Sequence, residues 1–201
     1  GIFTENALRL IYDSLPKQSE LDLERYIINA NQLLIKNGIT HVASDDFSTL
    51  SIPYETIINV FDRLYKQNKI QVKLTEQVNL PINELKDFIS KGYVNKRIND
   101  SFKMGPLKIL ADGSLGGKTA ALNQPYLNDP NNMGILTYTD EELFELVHLA
   151  NKNNMDVVIH AIGDRAVKQA LDTLIKSINL TKRYNHNHAI IHSQLTTRLQ
   201  I

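Results

Sequence analysis

Cysteine is absent from all 201 residues, which removes disulfide scaffolds, thiolate zinc sites and cysteine nucleophiles together. That absence fits a cytoplasmic protein. Excess charge is missing as well. Twenty-two basic residues balance 22 acidic ones, for a formal net charge of zero and a pI near 7.2. No long-range field of one sign is available to recruit nucleic acid or an anionic membrane, although a local patch is not excluded. No stretch is apolar for long enough to span a bilayer, and no leader of signal-peptide form occurs. Internal repeats, low-complexity tracts, a nucleophile elbow, a dinucleotide fingerprint and a helical zinc-protease motif are all lacking.

What is present is a chain of 22.8 kDa with 42% apolar residues, enough to bury a core. It starts at Gly1 rather than methionine and stops at Ile201 after a strand-like run, so both ends are expected to be cuts inside a larger protein. Periodicity switches repeatedly between helix-like and strand-like. The pattern predicts a helix from about Glu5 to Ser14 and a long one after Ser19, with Asp22 completing its cap and Gly38 beyond its end. It then predicts a buried strand over 39–44, a helix from Pro53 to Lys66, a strand over 69–76 and a helix from Pro81 to Ser90. An apolar run at 107–111 follows. Thr139 with Glu142 opens a helix to about Asn153, and strand 156–161, helix 164–177 and strand 188–193 complete the series.

Such alternation implies α/β architecture, a parallel sheet wrapped by helices, either doubly wound or a (β/α) barrel. Five strands are too few for an eight-stranded barrel of about 250 residues, so the sheet is open or the barrel incomplete. The stretch 124–138 is a long loop, a type often functional.

Sites in such folds form at the carboxyl ends of strands. Lys108 in LKILADGS, His160 in VVIHAIGD and His192 in AIIHSQ recur at such positions. A lysine between Leu107 and Ile109 is expensive to bury charged, so it should be paired, deprotonated or modified. Neutral imidazole is the commonest metal ligand, and two histidines on neighbouring strands can converge on one ion. Taken singly, each has a plain structural explanation. Either histidine can be satisfied by hydrogen bonds, and Lys108 can extend its ammonium to solvent. Asp164 most simply caps the helix starting at Arg165, and Asp112 most simply shapes a turn with Gly113. Their recurrence at successive strand ends favours the functional alternative.

DGSLGGKT, Asp112 to Thr119, nearly matches a phosphate-binding loop, but Asp112 stands where that pattern needs glycine and Pro125 interrupts the helix it requires. Nucleotide binding there is the weaker alternative, beside a non-catalytic (β/α) scaffold. His186, His188 and His192 share strand parity, although His186 is expected in a loop. His148 is expected to be packed or solvated within its helix. His41 has no evident partner.

The segments LKILADGSLGGKTAALNQPY, VVIHAIGDRAVKQALD and AIIHSQ resemble the family-3 branch of the amidohydrolases, metal-dependent TIM-barrel hydrolases, as do GIFTENA and LLIKNGITHVASDD before them. The resemblance implies a partial (β/α) TIM barrel with about five of the eight strands, the second to the sixth. It implies that Lys108 is the fourth-strand lysine, which can be carboxylated, and that His160 and His192 are the fifth- and sixth-strand metal ligands. Asp112, Gly113, Ser114 and Asp164 would support the substrate or its loop. It further implies a bacterial enzyme with a divalent metal, zinc for preference, in the full-length protein, which this fragment by itself need not hold. The reaction would be hydrolysis of non-peptide carbon–nitrogen bonds in a small-molecule substrate through metal-activated water. No nucleic-acid or membrane partner is expected, and open sheet edges predict self-association. The chain departs from the family at Gly117-Lys118 and at Ala189 and Ile191. The family's first-strand His-x-His pair and eighth-strand aspartate have no counterpart, so the fragment itself is expected to be inactive.

Overall fold

The computed structural model describes residues 18–48 and 52–200, together with Ile11, Ser14 and Pro16. The helix expected from Glu5 to Ser14 lies outside the described residues but for Ile11 and Ser14. The chain forms two compact units that meet along the sequence between Leu107 and Lys108.

In the unit Pro16–Leu107, helix α1 (Glu20–Lys36) begins with the expected reciprocal cap. The Ser19 hydroxyl accepts the Asp22 N–H at 3.2 Å, and the Asp22 carboxylate accepts the Ser19 N–H at 3.0 Å. Strand β1 (His41–Ser44) follows, then a 3-10 turn at Asp46–Ser48, helix α2 (Tyr54–Lys66) and strand β2 (Lys73–Val78). Helix α3 (Ile82–Ser90), a short strand β3 (Arg97–Asn99) and strand β4 (Phe102–Leu110) complete the series, the tail of β4 passing into the other unit. β1 pairs parallel with β2 and β2 with β4, while β3 pairs antiparallel with β4.

Ile57, Val60 and Leu64 recur at helical spacing on α2. With Leu74, Val78, Leu85, Phe88 and Phe102 they form the unit's core. The strand expected at 39–44 to be buried is not. β1 alternates exposed and half-buried residues because β2 is its one pairing neighbour among the described residues. β3 escapes sequence reading, since three residues (RIN) carry no alternation. Between Glu76 and Val78 the register against β4 slips by one residue. The extra residue falls on the Gly105-Pro106 stretch, where proline has no N–H for the ladder. A Cβ at Gly105 would lie 2.8 Å from the Thr75 methyl, so only glycine lets the strands approach this closely.

The unit also hides a carboxylate that no motif announces. Glu76 is fully buried. One oxygen accepts the Asp46 N–H at 2.8 Å, and the other has no hydrogen-bond partner among the described residues. Burial, then the nearby Asp46 carboxylate, pushes its pKa well up.

In the unit beginning at Lys108, the end of β4 leads through a long loop to α4 (Asp140–Lys152), β5 (Val157–Ala161), α5 (Asp164–Thr181) and β6 (Ala189–His192). The Thr139–Glu142 capping box forms as expected. β5 and β6 are parallel, and the Ala111 N–H donates to the His160 carbonyl at 2.9 Å beside β4. Helix α5 runs four residues past its expected end. Ser177 and Thr181, which look like terminating residues, instead take hydrogen bonds from the buried Asn151 amide of α4 at 3.0 and 2.9 Å. The element order makes the fold class α/β, with the successive strands of a partial (β/α) barrel. Among the described residues no helix is long and apolar enough to cross a membrane.

Candidate functional site

Parallel pairing of β5 and β6 sets Ala161 opposite His192, one residue beyond His160. The two imidazoles meet edge to face with ring centroids 4.7 Å apart. His192 is exposed and its backbone takes φ of 79°, followed by Ser193 at 46°. Two consecutive non-glycine residues in the left-handed region mark a strained turn at the strand's carboxyl end, and strain of this kind collects at functional sites. Lys108, near the end of β4, is 9% exposed and forms no ion pair among the described residues. Its ammonium is close enough to both rings to disfavour their protonation.

Asp112 organises this end of the unit. Its side chain is entirely buried. Oδ2 accepts the N–H groups of Gly163 at 2.8 Å and Ala121 at 2.9 Å, and Oδ1 accepts that of Ile162 at 3.0 Å. Oδ1 also faces His160 Nε2 at 3.3 Å, and the Gly113 carbonyl faces the same nitrogen at 3.2 Å. Both are acceptors, so Nε2 carries the hydrogen and Nδ1 of the neutral ring keeps its lone pair. Burial would raise the Asp112 pKa, but the bonds from His160, Gly163, Ala121 and Ile162 outweigh it and hold the carboxyl below its usual range. The Asp112 contact conversely raises the pKa of His160 against the opposing effect of burial. His192 is lowered, first by desolvation and then by the neighbouring His160 and Lys108.

Two plain readings of the sequence need correction. Asp112 does more than shape a turn. It ties the β4–α4 loop to the β5–α5 turn, because three buried N–H groups converge on its carboxylate. Asp164 does not cap α5. Gly163 occupies the cap position, and the Asp164 carboxylate takes the Asn123 N–H at 2.9 Å and the Asn123 amide at 2.8 Å. A Cβ on Gly163 would sit 1.9 Å from the Ala121 carbonyl oxygen, so the two segments interlock at backbone level.

Ser114 is exposed and folds its loop on itself, accepting the Gly117 N–H at 3.1 Å and donating its own N–H to Thr119 Oγ1 at 3.0 Å. It is not brought onto the histidines. The same loop is followed by no helix before Asp140, so the phosphate-loop geometry is missing, and the Lys118 ammonium faces Asp129 at 3.7 Å. Arg165 joins the clasp unannounced, reaching the Met133 and Gly134 carbonyls at 3.3 Å each. Its place directly after HAIGD was the one available signal.

The remaining histidines divide by partner. His41 does have one, Thr75 Oγ1 at 2.9 Å, contrary to expectation. His148 stacks on Phe144 with centroids 5.2 Å apart. His186 and His188 stack on each other at 4.4 Å, away from the His160–His192 pair despite shared parity. Among the described residues, no three His, Cys, Asp or Glu side chains are grouped so as to hold a metal ion.

The amidohydrolase family matches over residues 1–201. The chain belongs to that family. It is 27% identical over 196 residues to the putative amidohydrolase YtcJ of Bacillus subtilis (strain 168), covering 97% of this chain and 35% of that protein. It is 26% identical over 180 residues to protein LONG AFTER FAR-RED 3 of Arabidopsis thaliana, covering 86% of this chain and 30% of that one. Among solved structures, uncharacterized metal-dependent hydrolases from Pyrococcus furiosus and Pyrococcus horikoshii OT3 superpose with TM-scores of 0.74 each. They share 23% and 26% identity and cover 96% of this chain, but 38% and 36% of their own lengths. This amidohydrolase chain thus spans about a third of the length of the relatives it matches.

Proposed function

We propose that the protein to which this chain belongs hydrolyses non-peptide carbon–nitrogen bonds of a small-molecule substrate at a divalent metal, zinc for preference, held in part by Lys108, His160 and His192. The observation that carries the reading is the His160–Asp112 contact. A metal-ligating histidine characteristically gives its second ring N–H to a carboxylate or carbonyl, which fixes the tautomer and frees the other nitrogen. His160 Nε2 faces Asp112 and Gly113 in this way. His192, on the adjacent strand, stands 4.7 Å away by ring centroid and carries no hydrogen bond on either nitrogen among the described residues.

A divalent ion there supplies an activated water and a Lewis acid for an amide carbonyl. The protein's own part is to hold it. His160 offers Nδ1 with its ring oriented by Asp112, and His192 offers a ring not otherwise engaged. Lys108 contributes as the amine or, after carboxylation of its nitrogen, as a carboxylate. Asp112 and Gly113 fix the site's floor, while Ser114 and Asp164 shape loops beside it. The chain supplies only part of a ligand set, so it is inactive by itself. Elemental analysis of the full-length protein tests the reading. Lys108→Ala and His160→Ala should each lose metal, and unchanged content in both would refute it.

A further inference from the structure

Zero net charge conceals a concentration of cations on one face of the sheet in the unit Pro16–Leu107. Strand registers place them. His41 lies opposite Lys73, Thr75 opposite Lys103, and Arg97 opposite Lys103. Paired residues project to the same face, and Lys73 and Thr75 share it through the period of two. His41, Lys73, Arg97 and Lys103 therefore converge from four strands, while Leu74 and Phe102 turn to the opposite, buried face. A cavity of about 220 Å³ has these four on its wall, completed by Asp100, Ser101, Leu74 and Phe102.

The local electrostatics are uncompensated. Arg97 and Lys103 are directly opposed like charges, an arrangement that destabilises a sheet. None of Lys73, Arg97 and Lys103 forms an ion pair among the described residues. Among the described residues, the single polar bond from the Arg97 guanidinium runs to the Asp100 carbonyl at 3.3 Å, a long contact to a neutral acceptor. Asp100 is the one carboxylate on the wall, against three permanent cations. His41 is held by Thr75 Oγ1 at 2.9 Å, so its ring is oriented rather than free.

We propose that this cavity is a binding site for a small tetrahedral oxyanion of the phosphate class, taken by Lys73, Lys103 and Arg97 with the Ser101 hydroxyl beside them. A dianion neutralises two of the three cations and satisfies donors that now face one another. Arg97 supplies a planar fork suited to two oxygens at once, and the lysines supply point charges. The site is independent of Lys108, His160 and His192, none of which lines it.

Calorimetric titration of the 201-residue chain with inorganic phosphate at low ionic strength tests the proposal. One saturable site is expected. Lys103→Ala and Arg97→Ala should each weaken it about tenfold or more, the loss of one charge-assisted hydrogen bond. Lys103→Arg should retain binding, and Lys168→Ala on α5 should leave it unchanged. A parallel titration with a phosphate monoester separates free phosphate from an esterified ligand, which binds tighter if the cavity continues past the anion. Amide NMR shifts in the unsubstituted chain decide the matter if the alanine variants do not fold. Shifts confined to 73–75 and 97–103 support the site. No saturable shift there, or binding indifferent to both alanine substitutions, overturns it.

Discussion

Two histidine pairs flank the paired strands, His186 and His188 just before β6 and His160 and His192 at the carboxyl ends, and they differ in what their nitrogens do. At the amino end, His188 is fully engaged. The Val157 N–H donates to its Nδ1 at 3.0 Å, and its Nε2 faces Asn151 Oδ1 at 3.1 Å. Arg183 locks the surroundings, bonding Asn151 at 3.1 Å and Asp156 at 2.6 Å. Neither nitrogen of His188 is left to bind a ligand. At the carboxyl end, among the described residues, His160 is anchored through Nε2 alone and His192 through neither nitrogen. The residue type is the same at both ends. Hydrogen-bond accounting separates a structural histidine from a candidate ligand.

The comparison makes the carboxyl end depend on Asp112 and the interlocked loops, and the amino end on His188 itself. The sharpest way to break it is Gly163→Ala, whose Cβ would lie 1.9 Å from the Ala121 carbonyl oxygen. It should cost more than about 4 kcal/mol in chemical denaturation or abolish folding. Asp112→Ala comes next. It strands three buried N–H groups and should cost about 3 kcal/mol or more, by the same measurement. His188→Ala should cost about 2 kcal/mol, because Val157 and Asn151 lose their partner. His192→Ala should stay within about 0.5 kcal/mol. A reversed order between these two histidines would break the distinction.

A smaller effect follows from protonation. Burial first, then the neighbouring His186, push the His188 pKa down to about 4 from 6.5. Above pH 6.5 the ring is neutral in folded and unfolded chains alike, so its contribution is intact. As pH falls from 6.5 toward 4, the unfolded chain takes up a proton that the folded chain resists, and stability is lost. Urea midpoints across that window should decline, and His188→Gln should flatten the decline. An unchanged slope would sink this assignment.

Much of the architecture could be read in advance because it rests on local signals. The two capping boxes, the helix starts and the alternation of element types are all local. β3 could not be read, since it exists by pairing with β4. The end of α5 carries no local signal, because Ser177 and Thr181 act through Asn151 on another helix. The site follows the same rule. Lys108, His160 and His192 stand out by type at strand ends, whereas the convergence on Asp112 spans 51 positions between Asp112 and Gly163 and is set by folding. Glu76 shares the parity of Leu74 and Val78 on the buried face of β2, but its residue type favours solvent, and the 3-10 turn that covers it is set by folding.

Metal content of the full-length protein, measured by elemental analysis for His192→Ala beside His188→Ala, tests the central claim most directly. The account predicts that His192→Ala loses bound metal while His188→Ala keeps it, at reduced stability. Retention in His192→Ala, or loss in a folded His188→Ala, would contradict it.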